Sequence, residues 1–83
     1  MKIRNLLKEY REKRGFSYYQ MGKELKMSSH TPYYLVETCK REASLKVWKN
    51  IQQVLKIKDS DMWKVMTTFK YVENPKNKNR ISK

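Results

Sequence analysis

Residues 15–37, GFSYYQMGKELKMSSHTPYYLVE, limit what this chain can fold into more than any other stretch. Ser17 followed three residues later by Gln20 is a capping-box pattern, which opens a helix by giving partners to its orphaned first N–H groups. Phe16, just ahead of the cap, can staple onto Met21. The helix is expected to end near Leu25 or Lys26, because KMSS makes a turn in which Ser28 or Ser29 can cap a new helix. Pro32 is tolerated only in the first turn of that new helix, where its missing N–H needs no partner. A third helix is therefore expected at about residues 30–38, with Tyr33 and Val36 on one face and Thr31, Tyr34, Leu35 and Thr38 elsewhere around it. Gly22 lies inside the preceding helix, at a cost of ~1 kcal/mol relative to alanine. Close approach of another helix is a reason to accept that cost, since glycine has no side chain to hold a neighbour off.

The flanking segments also read as helices. Residues 2–14 carry Ile3, Leu6, Leu7 and Tyr10 at helical spacing with charges between them, and Gly15 stands where a glycine usually follows a helix. Ser44 caps a fourth helix, LKVWKNIQQVLKI, with Leu45, Trp48, Ile51 and Leu55 as its apolar stripe. Asp59 or Ser60 opens a fifth, in which Met62, Trp63, Met66 and Phe69 are apolar. Eighty-three residues make one small domain with a marginal core. The expected fold class is all-α, a small five-helix bundle over residues 1–72. Residues 73–83, ENPKNKNRISK, hold one apolar side chain, a proline and mostly basic charge, and are expected to form a disordered basic tail.

Charge narrows the partners. Twenty Lys and Arg against eight Asp and Glu give a formal +12, with a pI near 10.0. Such an excess favours polyanions: nucleic acid, an anionic membrane or an acidic protein. Cys39 is the only cysteine, so no internal disulfide is possible and a structural zinc site is not expected. No apolar stretch reaches signal-peptide or membrane-span length, so no membrane role is expected, and the expected location is cytoplasmic, in bacterial cytosol or nucleoid. His30 is the only histidine and has no carboxylate or nucleophile near it in sequence save Cys39. No phosphate-cradling glycine loop, HExxH or paired-carboxylate motif is present, so neither enzymatic activity nor a cofactor or metal is expected.

From about Leu6 to Ile57 the chain resembles the Cro and phage-repressor type of helix-turn-helix domain, the Xre-like family. The resemblance rests on LLKEYREKRGFSYYQMGKELKMS and VETCKREASLKVWKNIQQVL. Arg11 and Gly15 match an R-x-x-x-G helix end, Ser17 the cap, Met21-Gly22 a Leu-Ala pair and Leu25 the next leucine. Val36-Glu37 matches I-E, and Ser44-Leu45 matches S-L. Lys26 replaces the family's turn glycine and Cys39 the glycine after helix three. One extra residue between Leu25 and Glu37 shifts the facing of individual helix-three residues by about 100°. The resemblance implies a lambda-repressor-like bundle whose third helix lies in the major groove of double-stranded DNA. It also implies an internal ion pair between Arg11 and Glu37, tying helix one to helix three.

On that reading, phosphate contacts are expected from Ser17 and Tyr18 at the start of helix two, from Lys40 and Arg41, and from Lys46. Base edges would meet Ser29, His30, Thr31, Tyr34, Leu35 and Thr38, a set light in bidentate donors and suited to thymine methyls. In each of the pairs Tyr18-Tyr19 and Tyr33-Tyr34, one ring is expected inside and the other outside. The expected role is a repressor-like regulator, of phage or mobile-element type, binding as a homodimer with helix five as the candidate contact. The competing expectations are a protein-binding module on the same fold, an antirepressor or an inhibitor of a nucleic-acid enzyme, and RNA binding.

Overall fold

Two helix starts are set by their own side chains. Ser17 Oγ accepts the Gln20 N–H at 3.1 Å, and Ser44 Oγ accepts the Val47 N–H at 3.2 Å. Each gives a partner to a donor that a helix leaves orphaned in its first turn. In the computed structural model, which describes residues 1–72, these caps open the second and fourth of five helices. The helices are α1 (Asn5–Lys13), α2 (Tyr18–Glu24), α3 (Thr31–Glu37), α4 (Leu45–Leu55) and α5 (Asp59–Thr67). The expected basic tail, residues 73–83, lies outside the described residues. The start of α3 differs from the expectation. His30 holds its cap position without a side-chain bond, and Ser29 Oγ reaches only the Thr31 N–H, at 3.4 Å.

Three helix ends share one closure. After α1 the Phe16 N–H donates to the Arg11 carbonyl at 3.1 Å and the Gly15 N–H to that of Glu12 at 2.9 Å. After α2, Met27 and Lys26 donate in the same way to Gly22 and Lys23, and after α3, Lys40 and Cys39 donate to Leu35 and Val36. This paired closure requires a left-handed residue just past the helix. Gly15 supplies it at φ 74°, but Lys26 and Cys39 supply it at 57° and 60°. They are the two positions at which the resembled pattern carries glycine. An L-residue is strained there by ~1–2 kcal/mol, whereas glycine loses ~0.4–1 kcal/mol more chain entropy on folding. Strain outweighs entropy at the exposed Lys26, so Lys26→Gly is expected to raise stability by about 0.5–1 kcal/mol, read as a higher midpoint in denaturant.

The core draws on every helix: Leu7, Met21, Tyr33 and Val36, Trp48, Ile51 and Leu55, and Val65, with Ile57 from the α4–α5 turn. A β-carbon on Gly22 would lie 2.8 Å from the Ser29 carbonyl oxygen and 3.0 Å from His30 Cα. The close approach expected at this glycine is therefore present, and its partner is the turn entering α3.

Three expectations need correction. The fold is mostly rather than wholly helical, because β1 (Lys2–Ile3) pairs antiparallel with β2 (Lys70–Tyr71). Ile3 thus belongs to a strand and Phe69 lies past the end of α5. The chain leaves the helical course before Asn5 because the Arg4 N–H is drawn to the Glu37 carbonyl at 2.8 Å. Leu45, expected in the core stripe of α4, is 68% exposed; it precedes the turn on which Trp48, Ile51 and Leu55 face inward.

Candidate functional site

The orientation of α3 is set by its last residue. Glu37 is fully buried, and its carboxylate has four donors. Arg11 gives Nε to Oε1 at 2.9 Å and Nη2 to Oε2 at 3.4 Å. The Tyr18 hydroxyl donates to Oε2 at 2.7 Å and the Tyr33 hydroxyl to Oε1 at 2.8 Å. Arg11 also donates to the Phe16 carbonyl at 2.7 Å and lies 4.4 Å from the Tyr18 ring centroid. One carboxylate thereby joins α1, α2 and α3. A buried charge survives only when its lone pairs are filled in this way.

Burial, then the charge and hydrogen bond of Glu37, hold the Tyr33 phenol far above its ordinary pKa. Burial and the bond to Glu37 do the same to Tyr18. Both stay protonated in the fold at pH values where the unfolded chain has lost those protons. The unfolded state then binds fewer protons, so stability falls as pH rises. Their contribution is complete below about pH 10 and is lost above it. The thermal midpoint is accordingly expected to fall above about pH 10, and the Tyr18→Phe/Tyr33→Phe double variant to show a shallower fall. The comparison with the double variant isolates the phenols.

With Tyr33, Val36 and Glu37 turned inward, the opposite side of α3 is left uncovered among the described residues. Ser29, His30 and Thr31 are exposed, and Tyr34 and Leu35 half-buried. These five form one outward surface at the start and flank of α3. Thr38, expected with them, does not belong there. It is 2% exposed, and its hydroxyl donates to the Tyr34 carbonyl at 2.8 Å. Tyr18, expected to contact phosphate at the start of helix two, is a support instead. Its hydroxyl is committed to Glu37, and its ring meets the Tyr34 ring edge-on at 5.0 Å. Of the two tyrosine pairs, Tyr33 is buried beside half-buried Tyr34, and Tyr18 is half-buried beside exposed Tyr19.

Ser17 is exposed at the start of α2. Lys40 and Arg41 are exposed in the loop after α3, and Lys46 in the first turn of α4. Sequence reasoning missed Lys23 and Tyr19, which line a cleft with Ser29 and His30. Their signal was available: both are one helical turn or less from Gly22, where the turn into α3 packs.

Arg4 was missed as well, and nothing local announces it. It is 6% exposed. Its guanidinium donates to the Val36 carbonyl, to the Met66 carbonyl at 3.1 Å, and to Glu42 at 3.1 and 3.2 Å. The Trp48 ring lies 5.4 Å away. Arg4 therefore satisfies carbonyls at the C-terminal ends of α3 and α5 together, which also suits the helix dipoles.

No helix among the described residues is long and apolar enough to cross a membrane. Compared with known proteins, the chain matches no family model, no curated sequence and no solved structure at a significant level.

Proposed function

We propose that the chain binds double-stranded DNA as a lambda-repressor-like helix-turn-helix regulator, with α3 entering the major groove. The observation that carries this reading is the uncovered outward side of α3, locked in place by Glu37 and flanked by cations on a chain of formal charge +12. Ser29, His30, Thr31, Tyr34 and Leu35 would face base edges. Ser17, Lys23, Lys40, Arg41 and Lys46 would grip phosphates on either side. Hydroxyls can serve several bases, and Leu35 and the Tyr34 ring suit thymine methyls, so the preference should be modest and T-rich.

If about five phosphates are neutralised per protomer, log K should fall with log salt at a slope of roughly −4 to −5. The Lys40→Ala/Arg41→Ala variant is expected to flatten that slope by about 2 units without changing the preferred site. Fluorescence anisotropy across a salt series checks both. Selection from a random duplex pool, followed by competition with bulk DNA, tests the reading itself. An enriched two-fold motif supports it, and recovery of the input pool rejects it.

A second reading has its own observation. Tyr19 and Leu45 are 63% and 68% exposed, and large exposed apolar side chains are typical anchors for a protein partner. An acidic protein docking on the α3 surface would use them. Tyr19→Ala and Leu45→Ala would then abolish capture of that partner, whereas DNA binding should survive both.

A further inference from the structure

Arg4 lines a cleft as well as tying the helix ends. The cleft has a volume of about 340 Å³ and lies among Lys2, Arg4, Cys39, Glu42, Met66 and Phe69. Its walls are therefore β1, the loop after α3, the end of α5 and the residue just ahead of β2. That volume is at the small end of the range for ligand sites, about 300–1,000 Å³.

Two of the three guanidinium nitrogens are committed to the backbone. Nε donates to the Met66 carbonyl at 3.1 Å, and Nη1 donates to that of Val36. Nη2 alone meets a side chain, Glu42, whose two oxygens share it at 3.1 and 3.2 Å. The partners in this ion pair are unlike. Arg4 is buried and fixed, whereas the Glu42 side chain is 81% exposed. Water solvates the released carboxylate well and the side chain regains its rotamers, so Glu42 is held weakly. The buried donor, in contrast, needs an acceptor at all times. Another carboxylate can take that place at little cost.

A second cation and an apolar wall complete the cleft. The Lys2 ammonium lies 4.4 Å from the Phe69 centroid and 5.8 Å from that of Tyr71. Among the described residues it has no carboxylate partner. Phe69 is exposed and Met66 half-buried. Two cations against one weakly held carboxylate favour an anion, and the adjoining Phe69 and Met66 favour an apolar body attached to it. We infer that the cleft binds a small carboxylate carried on a single apolar ring. Its carboxylate displaces Glu42 from Arg4 Nη2, its ring packs on Phe69 and Met66, and Lys2 supplies the second charge. Inorganic phosphate fits less well, because it offers several oxygens to one free donor and leaves the apolar wall uncovered.

Occupancy is independent of the DNA-binding reading, and each measurement is made on the full chain without DNA. Benzoate is the probe. At constant ionic strength the amide signals of Arg4, Glu42 and Phe69 should shift and saturate, with a Kd on the order of 1 mM for a ligand of this size. Acetate, which lacks the ring, and benzyl alcohol, which lacks the charge, should each bind at least about tenfold more weakly. Cys39 lines the cleft and is the only cysteine. Saturating benzoate should therefore slow its alkylation by iodoacetamide several-fold, and the same concentration of acetate should not.

Glu42→Ala is the decisive variant. Removing the competing carboxylate should tighten benzoate about three- to tenfold. Glu12→Ala changes the net charge equally from exposed α1 and should leave the affinity unchanged. Lys2→Met should weaken benzoate about two- to fivefold, and Phe69→Ala should erase most of its advantage over acetate. All four side chains are exposed, so the melting curves should stay close to wild type and loss of fold does not confuse the result. Saturable binding that Glu42→Ala tightens and Glu12→Ala does not, with Cys39 protected, supports the site. Shifts that do not saturate or that chloride reproduces, a Glu42→Ala chain that binds no tighter than Glu12→Ala, or unslowed Cys39 alkylation overturns it.

Discussion

Arg11→Ala is expected to destabilise the fold by about 3–5 kcal/mol, enough to leave much of the chain unfolded at physiological temperature. Glu37 has no route to water, since it is fully buried and Arg11 is the cation on its carboxylate. Removing Arg11 strands a charge and also frees the Phe16 carbonyl and the Tyr18 ring face. A domain of this size has only roughly 4–12 kcal/mol in total. The melting midpoint should drop by more than about 12 °C, followed by far-ultraviolet circular dichroism. A second variant separates the charge from the packing. Arg11→Met/Glu37→Leu removes both charges, and apolar replacement of a buried pair is often neutral or better. It should recover a large part of the loss, although two tyrosine hydroxyls then lack their acceptor. If Arg11→Ala melts like wild type, the carboxylate is not holding the three helices together.

Arg4→Ala should cost about 2–4 kcal/mol, the second largest effect. Two helix-terminal carbonyls, of Val36 and Met66, lose a charged donor, and each such loss is worth ~1–3 kcal/mol. The sum falls short of the maximum because the Val36 carbonyl keeps the Cys39 N–H at 3.2 Å. The bond to Glu42 adds little, since that side chain is 81% exposed. Glu42→Ala should therefore lie within ~0.5 kcal/mol of wild type, and Arg4→Lys should fall between, because an ammonium cannot reach three acceptors in one plane. Amide exchange at Ile3 and Lys70 reports the same loss locally. Arg4 anchors the first strand to the ends of α3 and α5, so these amides should lose protection first.

The features legible in the amino-acid sequence share a short range. Ser17 and Ser44 cap because their oxygens reach an N–H three residues on, whatever the rest of the chain does. Gly22 announces a close neighbour because a glycine inside a helix needs a reason. Gly15 announces a helix end, and Lys26 and Cys39 stand out because a resembled pattern carries glycine there; all three adopt left-handed backbone. The Arg11–Glu37 contact came from resemblance, and the structure shows it as a bond at 2.9 Å.

The features that were not legible are relations between distant residues. Two-residue strands have no period to detect, and Ile3 reads equally well as part of the helix that follows it. Thr38 looks outward on a helical wheel, but it is buried and its hydroxyl donates to the Tyr34 carbonyl. Leu45 looks like core because its spacing fits, yet it is left exposed while Trp48, Ile51 and Leu55 are buried. Arg4 looks like one more surface cation on a basic chain, and only the meeting of α3, α5 and Trp48 around it makes it a buried tie. The amino-acid sequence by itself determined where α2 and α4 begin and where α1 ends, because side-chain caps and a glycine stop act over a few residues. Which side chains face outward was decided by tertiary packing alone, because burial and hydrogen-bond partners depend on atoms up to 71 positions away.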